Sequence, residues 1–167
     1  MRTRLLLLLP LLLLALGLSA RAEDEWRLLE MPGRFQVEMP GEPGHTPPYG
    51  DPPTEAWQSD SGEPLHGFEL LVTEHPGGTV QSAGEDGMLI ATMSGRAKAL
   101  GTRPTRTRRI QSARLPGCMF RVETEDADWD FMIRLHGDKV YTLSVSSMKG
   151  EGDDGAAKRF FDSFQVP

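Results

Sequence analysis

The sequence predicts an α+β fold, an antiparallel sheet of about six to seven strands sandwiched between helices, and three observations carry that expectation. Residues 33–44, GRFQVEMPGEPG, alternate apolar and polar side chains and then stop at Pro-Gly punctuation, the pattern of a strand with one packed and one wet face. Residues 105–147 read as four strands joined by tight turns. The chain closes on a helix whose Phe160, Phe161 and Phe164 fall on one stripe.

The N-terminus comes first in chain order. Arg2 and Arg4 form a positive start, Leu5 to Leu18 is an apolar run broken once by Pro10, and Ser19-Ala20-Arg21-Ala22 gives a small-x-small cleavage pattern. The run is shorter than the ~20 residues that span a bilayer. Residues 1–22 therefore read as a cleavable signal peptide, which leaves 23–167 as a single α/β domain. No Cys stands near the cleavage site, so a lipid anchor has no attachment point, and no second apolar run of spanning length follows. The expected location is periplasmic or secreted, without a transmembrane segment after cleavage. Cys118 is alone, so no intramolecular disulfide can form and stability must come from packing. Fourteen Arg against four Lys, with no Asn, resembles the usage of high-GC bacterial genomes.

Phe35, Val37 and Met39 give the first strand, 34–39, its packed face, and Pro40 ends it. Residues 40–54, PGEPGHTPPYGDPPT, hold six Pro and three Gly, which exclude a helix or a central strand and predict a long loop. A second strand follows near 55–60. His66 to Glu74 is apolar enough to be central, and Gly77-Gly78 ends it. A helix is expected over 83–100, with Ser82 as its cap and Glu85 completing a capping box. Gly87 and Gly95 weaken it, so packing must hold it.

The meander has strands at 105–115, 118–125, 129–136 and 139–147. Leu115-Pro116-Gly117-Cys118 suits a type II turn, and Gly137-Asp138 is a two-residue hairpin signal. If His136 faces Lys139, Trp129, Phe131, Ile133 and Leu135 point to one face, and Tyr141, Leu143 and Val145 to the other. Both faces then need cover. Asp153-Asp154 caps the last helix.

Trp26 with GRFQVEMPGEP, the central helix, LPGCMFRVE, DKVYTLSV and KRFFDSFQV together resemble PsbP-like (Mog-type, DcrB-like) α/β sandwich domains of exported bacterial proteins. The resemblance spans nearly all of 23–167 and rests on fold-forming residues. It implies the sandwich fold and, since such domains range from photosystem accessory subunits to GTPase-binding proteins and secretion chaperones, a role in binding rather than catalysis. No functional motif carries over residue by residue.

Candidate chemistry is sparse. Asp126, Asp128 and Asp130 spell D-x-D-x-D, but Gly137 stands where a calcium loop needs a bidentate Glu, so a solvated turn is the simpler reading. His45, His66, His75 and His136 show no metal-ligand spacing. Ser146-Ser147-Met148-Lys149 matches S-x-x-K without the companion motifs of serine acyl-enzymes. Cys118 beside Met119 and Phe120 reads as a small core residue. No cofactor, metal or catalytic residue is assigned.

Charge is the less ordinary feature. Residues 23–167 carry −9, yet no acid occurs between Asp86 and Glu123, where eight cations fall. Arg103, Arg106, Arg108 and Arg109 are the candidate surface for an anion or protein partner, with Arg106 and Arg108 alternating on one strand face. The competing reading is internal neutralisation: if Leu115 faces Cys118, Arg108 lies opposite Glu125. Nucleic acid is disfavoured by the net charge and by the lack of aromatics among these arginines. The leading expectation is a non-enzymatic exported binding or accessory protein of the bacterial envelope. The alternative is a carrier with a sheet–helix pocket, lined by Leu89, Met93, Phe131 and Met132, for a small apolar or anionic ligand. A hydrolase ranks last and would need His75 or His136 beside Ser146 or Ser147.

Overall fold

The computed structural model describes residues 25–62 and 65–167. The expected signal peptide, 1–22, lies outside the described residues. The strands are β1 (Trp26–Met31), β2 (Phe35–Pro40), β3 (Gly44–Tyr49), β4 (Thr54–Ser61), β5 (His66–Glu74), β6 (Pro104–Ile110), β7 (Gly117–Glu123), β8 (Ala127–His136) and β9 (Lys139–Met148). The helices are α1 (Thr79–Ala83), α2 (Glu85–Ala99) and α3 (Asp154–Ser163). Seven strands form one antiparallel sheet in the order β3-β4-β5-β9-β8-β7-β6, and β1 and β2 form a separate two-stranded ribbon. The α+β class and the sheet between helical layers are as the sequence predicts.

Register explains the layers. His136 faces Lys139, so Met132 stands opposite Leu143 and Phe131 opposite Ser144. One face of the sheet packs Phe68, Leu70, Val72, Met132, Tyr141, Leu143 and Val145 against β2 and α3. The other packs Phe120, Val122, Phe131, Ile133 and Leu135 against α1 and α2. Here those faces are termed front and back. The closing helix forms as expected: Asp153 accepts from the Gly155 and Ala156 backbone N–H, and Phe160, Phe161 and Phe164 are buried.

Four local expectations are corrected. Residues 44–49 of the expected loop form the edge strand β3, with a register shift between Thr46 and Tyr49 around Pro47-Pro48. Proline is tolerated there because an edge strand has one row of N–H groups facing away from the ladder. Trp26–Met31, a segment without a strand signal in its residue pattern, pairs with β2. Ser82 does not cap α2; it sits inside α1, its hydroxyl donating to Gly78 O, and Gly84 is the residue preceding α2. The turn before β7 is wider than a type II turn: Arg109 pairs with Cys118 and Ile110 with Gly117. Arg108 therefore faces Met119 and not Glu125.

Asp138 does more than turn a hairpin. Its carboxylate accepts from Gly78 N at 2.9 Å and Val80 N at 3.2 Å, which ties the start of α1 to the β8–β9 turn. That contact helps anchor the back-face helices.

Candidate functional site

The front layer does not reach the β6 edge. Phe160 of α3 packs edge-on against Phe68 of β5, and Phe164, just past the helix, packs tilted against Tyr141 of β9, so the helix lies over the middle of the sheet. Beyond it the front of β8, β7 and β6 forms an open groove of about 840 Å3. Met119, Met132, Ala157 and Phe161 supply apolar lining, and Arg106, Arg108, Arg121 and Arg134 supply charge.

Arg134 is the most unusual of these. It follows Ile133 on β8, stands opposite Tyr141, and therefore projects to the front face. Its side chain crosses Gly117 of β7, where an added Cβ would meet Ile133 O at 2.2 Å and Arg134 Cδ at 2.8 Å. No residue with a side chain fits there unless the backbone moves. The Arg134 Nε and Nη1 are buried without a hydrogen-bond partner. Burial alone lowers its pKa from the ordinary guanidinium value, yet an arginine stays charged in proteins. A buried donor on a charged group without a partner is costly, so Arg134 is primed to receive an acceptor.

The other cations are differently placed. Arg121 forms a bidentate pair with Asp130, at 2.8 Å from Nε and 2.6 Å from Nη2, and lies 3.9 Å from Asp154 at the start of α3. The Asp130 hydrogen bond holds the Arg121 pKa above its ordinary value. Lys158 pairs with Asp162 one turn along α3. Arg108 donates from Nη2 to the Met119 thioether, a weak acceptor, at 3.0 Å.

The arginines expected from sequence divide. Arg106, Arg108 and Arg109 border the groove, and Arg103 does not. Arg109 is on the opposite face from Arg108 and pairs with Asp86 at 2.7 Å and Glu85 at 3.6 Å, bracing β6 to α2. It is neutralised, but by α2 and not by the neighbouring strand. The expected alternation of Arg106 and Arg108 is broken by a bulge between Thr105 and Arg108, where Arg106 takes a left-handed φ of 48°. Arg134 was not singled out in the sequence, and Arg121 counted only as one of the eight cations between Asp86 and Glu123. The readable signal for Arg134 was a cation on the strand face that the sheet pattern already required to be covered.

The remaining candidates separate in space. Leu89 and Met93 lie on the back with Phe131, whereas Met132 points to the front, so these four do not line one pocket. Asp128 accepts from Lys149 Nζ at 2.7 Å and from Gly150 N at 3.2 Å; these contacts, the lysine's hydrogen bond first, lower the Asp128 pKa and raise that of Lys149. Asp130 is held by Arg121, so two members of D-x-D-x-D are engaged by cations. Among the described residues no group of three or more His, Cys, Asp or Glu is placed to hold a metal. His136 pairs with Lys139 at one end of β9, and Ser146 lies seven residues further along, about 23 Å at strand rise. His75 donates its backbone N–H to Asp138 O at that same far end. Neither histidine reaches Ser146 or Ser147. The histidine opposite Ser147 is His66, and both residues are buried. The Cys118 thiol is buried, which raises its pKa, while the nearby Arg109 charge opposes the shift.

No family model matches this chain, and no curated protein matches it. A crystal structure at 1.50 Å resolution of a protein from Bacteroides thetaiotaomicron VPI-5482 is similar, with a TM-score of 0.50 and 12% identity. The match covers 84% of this chain and 48% of that one, so the chain spans about half the length of that relative. At such identity the likeness concerns the fold alone. Among the described residues no helix is long and apolar enough to cross a membrane.

Proposed function

We propose that this protein is a non-enzymatic, exported binding protein of the bacterial envelope, with a PsbP-like sandwich, whose binding surface is the front groove between α3 and β6–β8. One observation carries the reading: the Arg134 side chain lines an open, partly apolar groove, and its buried Nε and Nη1 have no hydrogen-bond partner. A guanidinium in a site of lowered dielectric binds carboxylate or phosphate oxygens far more strongly than one in open solvent. Export is supported by the signal-like residues 1–22. The sandwich assignment rests on the resemblance of the GRFQVEMPGEP and KRFFDSFQV segments. The binding role is closer to the carrier expectation than to the arginine segment 103–109, because Arg103 lies off the groove and Arg109 is engaged by Glu85 and Asp86.

The test is protein-observed NMR with a small-molecule extract of bacterial envelopes. The extract should shift the Arg134 side-chain Nε–H signal and backbone amides of β6, β7 and β8, while leaving α2 unchanged. Arg134→Gln should abolish the backbone shifts. Signals that stay in place, or that move only outside the groove, refute the groove as the binding surface.

A further inference from the structure

We infer that the groove takes a small amphiphilic monocarboxylate, with its head at Arg134 and its apolar body along Met119, Met132 and Phe161. This rests on the groove being the binding surface, and it adds the ligand's chemical class and its direction. Charge orders the groove along its length. At the end nearest the start of α3, Arg121 is taken up by Asp130 and faces Asp154; further along the helix Lys158 is taken up by Asp162. An anionic head placed there meets carboxylates and cations that are already paired. At the other end Arg134 has no carboxylate partner among the described residues, and two of its buried donors are unpaired. The favourable place for a negative head is therefore the Arg134 end.

The number of charges favours a monoanion. One buried guanidinium compensates one formal charge, and a second charge on the same head would be desolvated with no buried cation to match it. Between the two ends the lining is apolar: the Met119 and Met132 thioethers on the sheet, and Phe161 on α3. Methionines adapt to alkyl shapes because their side chains are unbranched and polarisable. Arg108, resting on the Met119 sulfur, can lay its own methylene stem along such a chain while keeping its charge in water. An acid with an alkyl tail satisfies both parts of the groove at once, which neither a small inorganic anion nor a neutral lipid does.

Calorimetric titration of the protein with dodecanoate, below its micellar concentration, tests this against dodecanol, butyrate and an apolar hexapeptide with a free C-terminus. Dodecanoate should bind one to one, with dodecanol weaker by about tenfold or more, the weight of one charge-assisted hydrogen bond, and butyrate weaker by at least as much because it lacks the methylenes that the apolar lining would bury. Arg134→Gln should reduce dodecanoate to the affinity of dodecanol and leave dodecanol unchanged, while Arg134→Lys should retain part of the preference. The comparison of acid with alcohol on the unaltered protein needs no variant, so it stands even if Arg134→Gln folds poorly. Equal binding of acid and alcohol overturns the assigned head group. Silence with dodecanoate while envelope extract still shifts the groove signals overturns the ligand class and leaves the groove reading intact; silence with both overturns both. A hexapeptide that binds more tightly than dodecanoate assigns the groove to a polypeptide C-terminus and overturns the proposal.

Discussion

Gly117 and Arg134 form one device, because the arginine can lie across β7 only where β7 has no Cβ. Gly117→Ala should therefore do two things. Relief of the 2.2 Å clash with Ile133 O requires the strands to part, which should cost about 1–3 kcal/mol in denaturant unfolding. The displaced Arg134 should also lose ligand affinity in the groove, which the same calorimetric titration measures. A different residue pair sets a pH dependence. Lys149 lowers the folded-state pKa of Asp128, so this contribution is present above the ordinary aspartate value of 3.8 and is lost as pH falls through the lower folded value. The raised Lys149 pKa makes the same pair persist to 10.5 and fail only as pH rises through the higher folded value. Asp128→Asn should lower Tm across the neutral range, and the gap from the unaltered protein should close as melts are run at pH below 3.8. A gap that is unchanged at acid pH would assign the effect to geometry and not to charge.

At the scale of elements, legibility followed hydrophobic period. The β8–β9 hairpin was readable because Trp129, Phe131, Ile133 and Leu135 alternate with period two up to Gly137-Asp138, and α3 because Phe160, Phe161 and Phe164 repeat with helical spacing behind Asp153. β1 was not readable, since WRLLEM places Leu28 outward and pairs only with β2, so neither face needs an unbroken alternation. β3 was hidden by its prolines, which mark the edge and keep it from pairing further. Arg134 was hidden by the same logic in reverse: the alternation that marks its strand is carried by its neighbours, and a lone cation between them leaves that pattern unchanged. The β6–β7 register was missed because the bulge at Arg106 and the wide turn both shift pairing without changing the local residue pattern. The weakness expected of α2 offers a direct measurement. Gly95 lies in the interior of α2, and an added Cβ there meets nothing within 4 Å. Gly95→Ala should stabilise the protein by about 0.4–1 kcal/mol, read from the shift in denaturation midpoint. A loss of stability would mean that α2 needs the glycine for packing.

For the whole molecule, the sheet divides the interior into two cores that share a backbone and little else. Phe160 and Phe68 meet edge-on in the front core with ring centroids 5.5 Å apart, whereas Leu89 sits in the back core behind β7 and β8. Energetic coupling follows contact, because neighbouring side chains share cavities and relax together while separated ones do not. Leu89→Ala alone should cost about 2–5 kcal/mol, since the residue is buried and the sheet behind it cannot collapse into the space. Combined with Phe160→Leu, the two losses should add to within about 0.5 kcal/mol. Phe68→Leu combined with Phe160→Leu should instead depart from additivity by about 0.5 kcal/mol or more, because each substitution alters the cavity that the other faces. Urea unfolding of the three single and two double variants gives both coupling values. Additivity within the front pair would show that ring contact alone does not couple these sites, and strong coupling across the sheet would show that the sheet transmits packing between its faces. In that case ligand binding in the front groove would be felt by α2, and the α2 amides expected to stay still in the extract titration would move.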